Sequence, residues 1–219
     1  NLIRLKVTPS TRAKFAKRPH ASARLAISPK PLWMPAKARV LTRVWWMLRA
    51  IGFDNASVLD GGGDKWVQDG KPVSTEPCGY PVGSLTASAR PGLFVGKDAV
   101  ASAIDDGAVC TINALSADLH RGESARYGRP GRIPGSVNLP AAGFQNPTDK
   151  TFLPAREVAA TLRSAGADKA ERSIVYCGGG IAATLDAFLM VQLGYENVAV
   201  YDASMSEWAR DSALPVEVG

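Results

Sequence analysis

The chain has 219 residues, 46% hydrophobic and 21% charged, a globular rather than a disordered or fibrous composition. No apolar run approaches the roughly 20 residues of a bilayer-crossing helix, so no membrane partner is expected. The net charge of +6 is unevenly spread. Residues 1–49 hold twelve Lys or Arg and no acidic group, and the other 170 residues hold fourteen basic and twenty acidic ones.

Cysteine and histidine usage narrows the chemistry further. Cys78, Cys110 and Cys177 are odd in number and lack metal-ligand spacing, and His20 and His120 lie far apart. No metal site is expected, and free thiols point to a reducing, cytoplasmic setting.

Residues 1–39 show no sustained periodicity, and Pro9, Pro19, Pro29, Pro31 and Pro35 interrupt any long helix. The segment is predicted to be disordered or foreign to the fold. Three readings stay open: an organelle transit segment, a nucleic-acid arm, or a fragment or mis-assigned coding stretch. The start at Asn1 favours the last, because no aromatic–basic interleaving supports nucleic-acid binding.

From Val40 the chain becomes periodic. Val40 to Phe53 predicts a helix with Val44, Met47, Leu48 and Ile51 on its inward face and Gly52 as a stop. A strand at Ser57 to Asp60 and a turn at Gly61-Gly62-Gly63 follow. A shift of 142 positions sets Gly52 on Gly194, Phe53 on Tyr195, Asn55 on Asn197, Val58 on Val200, Asp60 on Asp202 and Trp66 on Trp208. One extra residue then sets Pro72 on Pro215. Such matching in register points to a duplicated module. Residues 40–76 are its incomplete first copy, with Pro35 where the second has Cys177. The apolar surface of this remnant, including Trp45 and Trp46, needs cover, so it is expected to dock on the second copy, to dock on a partner, or to fold poorly.

Residues 77–92 are rich in Pro, Gly, Ser and Thr, a linker that carries Cys78. The second module is expected over 93–219. It has helices at Lys97 to Asp106 and at Pro154 to Ala165, the latter with Val158, Ala159 and Leu162 inward. A buried strand at Ala108 to Ile112 holds Cys110 as a core residue. Four arginines, Arg121, Arg126, Arg129 and Arg132, share one loop and could attract an anion.

The most informative stretch is Ser173 to Asp202. A strand at Ile174 to Tyr176 ends at Cys177, three glycines follow, then an apolar helix from Ile181 to Leu193 and a strand from Val198 to Tyr201. Glycines leave backbone N–H groups uncovered, and the helix adds its positive end. A thiol there is favoured as thiolate, although an isolated cysteine after a strand also reads as buried structure. Gly178-x-Gly180-x-x-Ala183 matches a dinucleotide fingerprint, but too little chain follows Asp202 to complete that fold. A phosphatase of this loop type would need Arg at position 183, which is Ala.

This unit with Ser206-Glu207-Trp208, and Gly131-Arg132-Ile133-Pro134-Gly135-Ser136-Val137-Asn138-Leu139-Pro140 upstream, resembles the rhodanese-like sulfurtransferases. The likeness covers residues 93–219 and, in part, 40–76, and it implies an α/β fold with a parallel sheet flanked by helices. It also implies Cys177 as the sulfur-carrying catalytic residue and Gly178, Gly179, Gly180, Ile181 and Ala182 as its binding loop. Arg132 is a further candidate for substrate binding, and no cofactor is implied. The expected reaction moves sulfur from a small anionic donor, 3-mercaptopyruvate or thiosulfate, to a thiol or cyanide. Uncharged glycines after the cysteine favour mercaptopyruvate. Asn113-Ala114-Leu115 departs from the family's Asp-x-Arg pattern, which keeps an inactive sulfur-binding or interaction module as the alternative.

Overall fold

The computed structural model describes residues 2–3, 38–75 and 86–219. Most of the basic segment and the first part of the linker, with Cys78, lie outside the described residues. The N-terminal region supplies a two-residue strand β1 (Leu2–Ile3), a helix α1 (Ala38–Ala50), a strand β2 (Val58–Leu59) and a helix α2 (Gly62–Gln68). β1 pairs antiparallel with β2, so part of the stretch expected to lack order is in a strand. The expected glycine turn is also corrected, because Gly62 and Gly63 open α2.

The second region supplies β3 (Phe94–Val95), α3 (Lys97–Ser102), β4 (Val109–Asn113), α4 (Ala117–Arg121) and β5 (Val137–Asn138). These are followed by α5 (Ala155–Ser164), β6 (Arg172–Tyr176), α6 (Ala183–Gln192), β7 (Val198–Tyr201) and α7 (Ser204–Trp208). The five strands β3–β7 form one sheet in the order β3-β7-β6-β4-β5, with every pair parallel. This is the expected α/β architecture.

Alternation along the central strand explains the layering. Val175 and Cys177 face one side with Leu185, Phe188 and Val158 of the flanking helices. Ile174 and Tyr176 face the other, with Val100, Met205 and Trp208. A strand covered on both faces needs apolar side chains at every position, as β6 and β7 have. Helix α6 is buried along nearly its whole length because sheet and α1 sandwich it.

Helix α1 lies on α6. The Trp45 ring meets the Phe188 ring edge-on at 4.9 Å, and the Trp46 indole N–H donates to the Leu93 carbonyl at 3.2 Å. Between the helices the hydroxyls of Thr42 and Thr184 are 3.2 Å apart. The expected inward face is therefore wrong. Ala38, Thr42, Trp45 and Trp46 are buried, whereas Val44 and Met47 are 43% and 48% exposed. Two indoles offer more apolar area than the Val–Met stripe, and each N–H finds a carbonyl in this orientation.

Local geometry recurs between the two regions. Gly52 and Gly194 take φ of 88° and 94°. Their N–H groups bond the Arg49 and Val191 carbonyls at 3.0 and 3.1 Å, and the next residues, Phe53 and Tyr195, reach back to Leu48 and Met190. Both ends are glycine-terminated helix caps. Further on, the Trp66 and Trp208 indoles donate to the carbonyls of Pro72 and Pro215, at 2.9 and 2.7 Å.

Cys110 is half-buried rather than core. It lines a cavity of about 200 Å³ with Lys169, Gly135 and Gly166, and partial burial raises its thiol pKa. In α5, Val158 and Leu162 are buried as expected.

Candidate active site

Parallel sheets place their loops in two groups, and ligands gather at the carboxyl ends of the strands. Cys177 follows the last residue of β6, a central strand, and is 3% exposed. Residues 113–115 after β4 and Ser204 after β7 lie at the same end of the sheet.

Two hydroxyls hold the cysteine loop from below, Ser206 Oγ donating to the Gly178 carbonyl and Ser204 Oγ bridging two N–H groups. Ser204 Oγ accepts from the Cys177 N–H at 3.0 Å and from the Gly180 N–H at 3.2 Å, while donating to the Tyr201 carbonyl at 2.7 Å. The carbonyls of Cys177 and Gly178 accept from the Met205 and Ser206 N–H groups, at 3.1 and 2.9 Å. Ser204 has φ of 52°, the left-handed region that a side-chain-bearing residue enters at a cost of about 1 kcal/mol. Its three hydrogen bonds offset that cost.

One of the loop N–H groups expected to face the sulfur, that of Gly180, is thus used by Ser204, as is the N–H of Cys177 itself. Among the described residues, the N–H groups of Gly178, Gly179, Ile181 and Ala182 have no hydrogen-bond acceptor, and Ile181 is 46% exposed at the loop's rim. Gly180 has φ of 72°, and a Cβ there would run into Asp202. A Cβ at Gly178 would strike the phenol of Tyr127, so that ring lies directly against the loop.

Arg132 is placed elsewhere. Its guanidinium pairs with Glu217 and donates to the Gly219 carbonyl and, at 3.4 Å, to the His120 carbonyl. It ties the C-terminal segment to the Ile133-Pro134-Gly135 turn, and the Gly135 N–H and Arg132 together hold the Glu217 carboxyl below its ordinary range. Binding a substrate through Arg132 would require breaking these contacts.

The departure at 113–115 is absorbed locally. Asn113 is fully buried, accepts from the Leu115 N–H at 3.0 Å, and meets His120 Nδ1 at 3.0 Å. Burial, with the charge of Arg132 second, lowers the His120 pKa to about 4, so the imidazole is neutral at pH 7. A neutral amide–imidazole pair thus occupies the site where the family pattern would set charges.

Sequence reasoning missed Ser204, Tyr127 and Arg43. Arg43 belongs to α1, yet its guanidinium pairs with Asp202, reaches the Gly180 carbonyl at 3.5 Å and lies 5.1 Å from the Phe94 ring centroid. Ser204 lies between Asp202 and the Ser206-Glu207-Trp208 motif, and nothing in its spacing signals an anchor. Position 185, the repeat's equivalent of Arg43, is leucine, so the repeat gave no hint either.

Residues 112–211 match the model of the rhodanese-like domain, and the chain belongs to that family. Among its relatives, the "Putative thiosulfate sulfurtransferase 1" of Mycobacterium bovis is 32% identical over 185 residues, covering 80% of this chain and 66% of that protein. The sulfur carrier protein TtuD of Thermus thermophilus is 30% identical over 188 residues, with the same coverage of 80% and 66%. The chain therefore spans 66% of the length of each. The anaerobic ergothioneine biosynthesis enzyme from Chlorobium limicola matches with a TM-score of 0.72 at 23% identity, over 81% of this chain and 45% of that one. That likeness concerns the fold.

Proposed function

We propose that the chain is a sulfurtransferase in which Cys177 carries the transferred sulfur. The observation that carries this reading is the loop itself. A cysteine at the carboxyl end of a central parallel strand is followed by a loop in which the N–H groups of Gly178, Gly179, Ile181 and Ala182 have no acceptor among the described residues. Such groups, with the N-terminal end of α6, stabilise a negative sulfur. The names of the two curated relatives agree with the reading.

Atoms balance in each half-reaction. The Cys177 thiolate attacks the outer sulfur of thiosulfate, the S–S bond breaks, and sulfite leaves with the electron pair. With 3-mercaptopyruvate the C–S bond breaks instead, and the thiol proton ends on the carbon of the departing pyruvate. A thiolate or cyanide acceptor then attacks the outer sulfur of the persulfide and regenerates the thiolate. Residues 93–219 are the catalytic module, 77–92 the linker and 40–76 a remnant first copy, a division supported by the recurring caps and Trp–Pro bonds.

Donor choice follows from the arginine cluster. Arg121 pairs with Glu123 at 2.7 Å, and Arg129 donates to the carbonyls of Trp208, Ala209, Asp211 and Leu214. Arg132 is taken by Glu217. Of these four, Arg126 is the one without a protein acceptor among the described residues, and it lies 5.7 Å from the ring centroid of Tyr127, which covers Gly178. One available cation suits the single carboxylate of mercaptopyruvate better than a compact dianion. The test compares kcat/KM for both donors at two ionic strengths, with Arg126→Gln alongside. Mercaptopyruvate should be preferred, and Arg126→Gln should raise its KM about tenfold. A salt-sensitive thiosulfate preference would reject this donor assignment.

A further inference from the structure

We propose that Arg43, on the helix of the N-terminal region, is a positioning residue for the sulfur-binding loop; this rests on the reading of Cys177 as the sulfur carrier. The loop bends at Gly180, and the two peptide planes flanking that residue are held by different groups. The plane before it is fixed by Ser204, which accepts the Gly180 N–H at 3.2 Å. The plane after it contains the Gly180 carbonyl, which faces the Arg43 guanidinium at 3.5 Å.

A trans peptide sets its C=O and N–H on opposite sides of the plane. Drawing the Gly180 carbonyl toward α1 therefore turns the Ile181 N–H to the side of the plane away from α1. That N–H has no acceptor among the described residues and sits four residues after Cys177. Arg43 thus aims one of the donors that would stabilise a charged sulfur, without touching the sulfur itself.

Two further contacts support this assignment. Asp202 lies so close to Gly180 that a Cβ there would collide with its carboxylate, which places a negative charge beside the loop. Arg43 pairs with that carboxylate and offsets its repulsion of an anionic donor or persulfide. The arginine is itself held in place. Its neighbour Thr42 is fully buried against Thr184, and its guanidinium lies over the Phe94 ring. The N-terminal helix therefore contributes to the catalytic loop as well as covering α6.

The experiment measures sulfur loading of the intact chain by mass under single-turnover conditions, with mercaptopyruvate and with thiosulfate. It compares the unsubstituted chain with Arg43→Met, Arg43→Lys and Thr42→Val. Thr42→Val loosens the same helix contact without touching the loop, so it controls for a purely structural effect. Arg43→Met should slow loading at saturating donor at least tenfold with KM changed less than threefold. Arg43→Lys, which keeps the charge, should recover a good part of the rate, and Thr42→Val should lower Tm but load normally.

Equal loading rates for Arg43→Met and the unsubstituted chain would overturn the positioning role and leave the Cys177 reading intact. Parallel slowing in Thr42→Val would also overturn it, in favour of simple docking. Absence of loading in the unsubstituted chain would remove both readings together.

Discussion

The stretch around α1 and the stretch around α6 run in register 142 residues apart, and they diverge where chemistry is at stake. Both helices end in a left-handed glycine, and both regions tie a tryptophan to a proline carbonyl. Yet Val44 is 43% exposed while its counterpart Asp186 is fully buried. Gly62 stands where the second region has Ser204; both have positive φ, of 65° and 52°. In the N-terminal region that position is a glycine, which has no side chain with which to anchor a neighbouring segment. In the C-terminal region a hydroxyl has been placed there despite the backbone cost, and it anchors the cysteine loop. Local sequence thus dictates local caps, and tertiary surroundings decide what each cap supports.

The sharpest way to break the parallel is at the two tryptophans. Trp208 is fully buried and Trp66 only partly so. Trp208→Ala should cost about 3–5 kcal/mol, and Trp66→Ala about 1 kcal/mol, both read from denaturant unfolding. Similar losses would mean that the N-terminal region is as integral to the core as the C-terminal one.

Ser204 gives the next largest effect. Ser204→Ala leaves the Cys177 and Gly180 N–H groups without their acceptor and keeps the strained backbone, a loss of about 1–3 kcal/mol. Ser204→Gly relieves the strain, so its stability should lie closer to that of the parent. Sulfur loading should fall in both, and normal loading in Ser204→Gly would show that the hydroxyl does not organise the loop.

Asp186 gives the most specific effect, and near pH 4 the smallest of the three. Neither of its oxygens has a hydrogen bond among the described residues, and burial raises its pKa well above the ordinary value. The folded state therefore holds the proton more tightly than the unfolded chain does. Its contribution is fully present below the usual carboxylate range and is lost as pH rises from there toward the folded pKa. Asp186→Asn should leave Tm nearly unchanged near pH 4 and raise it progressively toward pH 8. A pH-independent difference would mean that the carboxyl is not held neutral.

Much of the fold was legible from the chain alone, because strands buried on both faces are continuous apolar runs and glycine marks the helix ends. The cysteine loop was legible for the same reason. What escaped were contacts between segments far apart in sequence: Ser204 beneath the loop, Tyr127 against Gly178, and Arg43 reaching across from α1. No periodicity records such pairings. The inward face of α1 was misjudged because aliphatic spacing was read as burial, whereas two indoles with nearby carbonyl acceptors set the orientation. Arg132 looked available from its place beside a turn, but Glu217, near the other end of the domain, neutralises it.

The most direct test of the central claim is the intact mass of the chain after incubation with mercaptopyruvate or thiosulfate, for the parent and for Cys177→Ser, Cys110→Ser and Cys78→Ser. The parent and the latter two variants should gain one sulfur atom that is lost on reduction, and Cys177→Ser should gain none. A reducible sulfur on Cys177→Ser, or none on the parent with either donor, would contradict the assignment of Cys177 as the sulfur carrier.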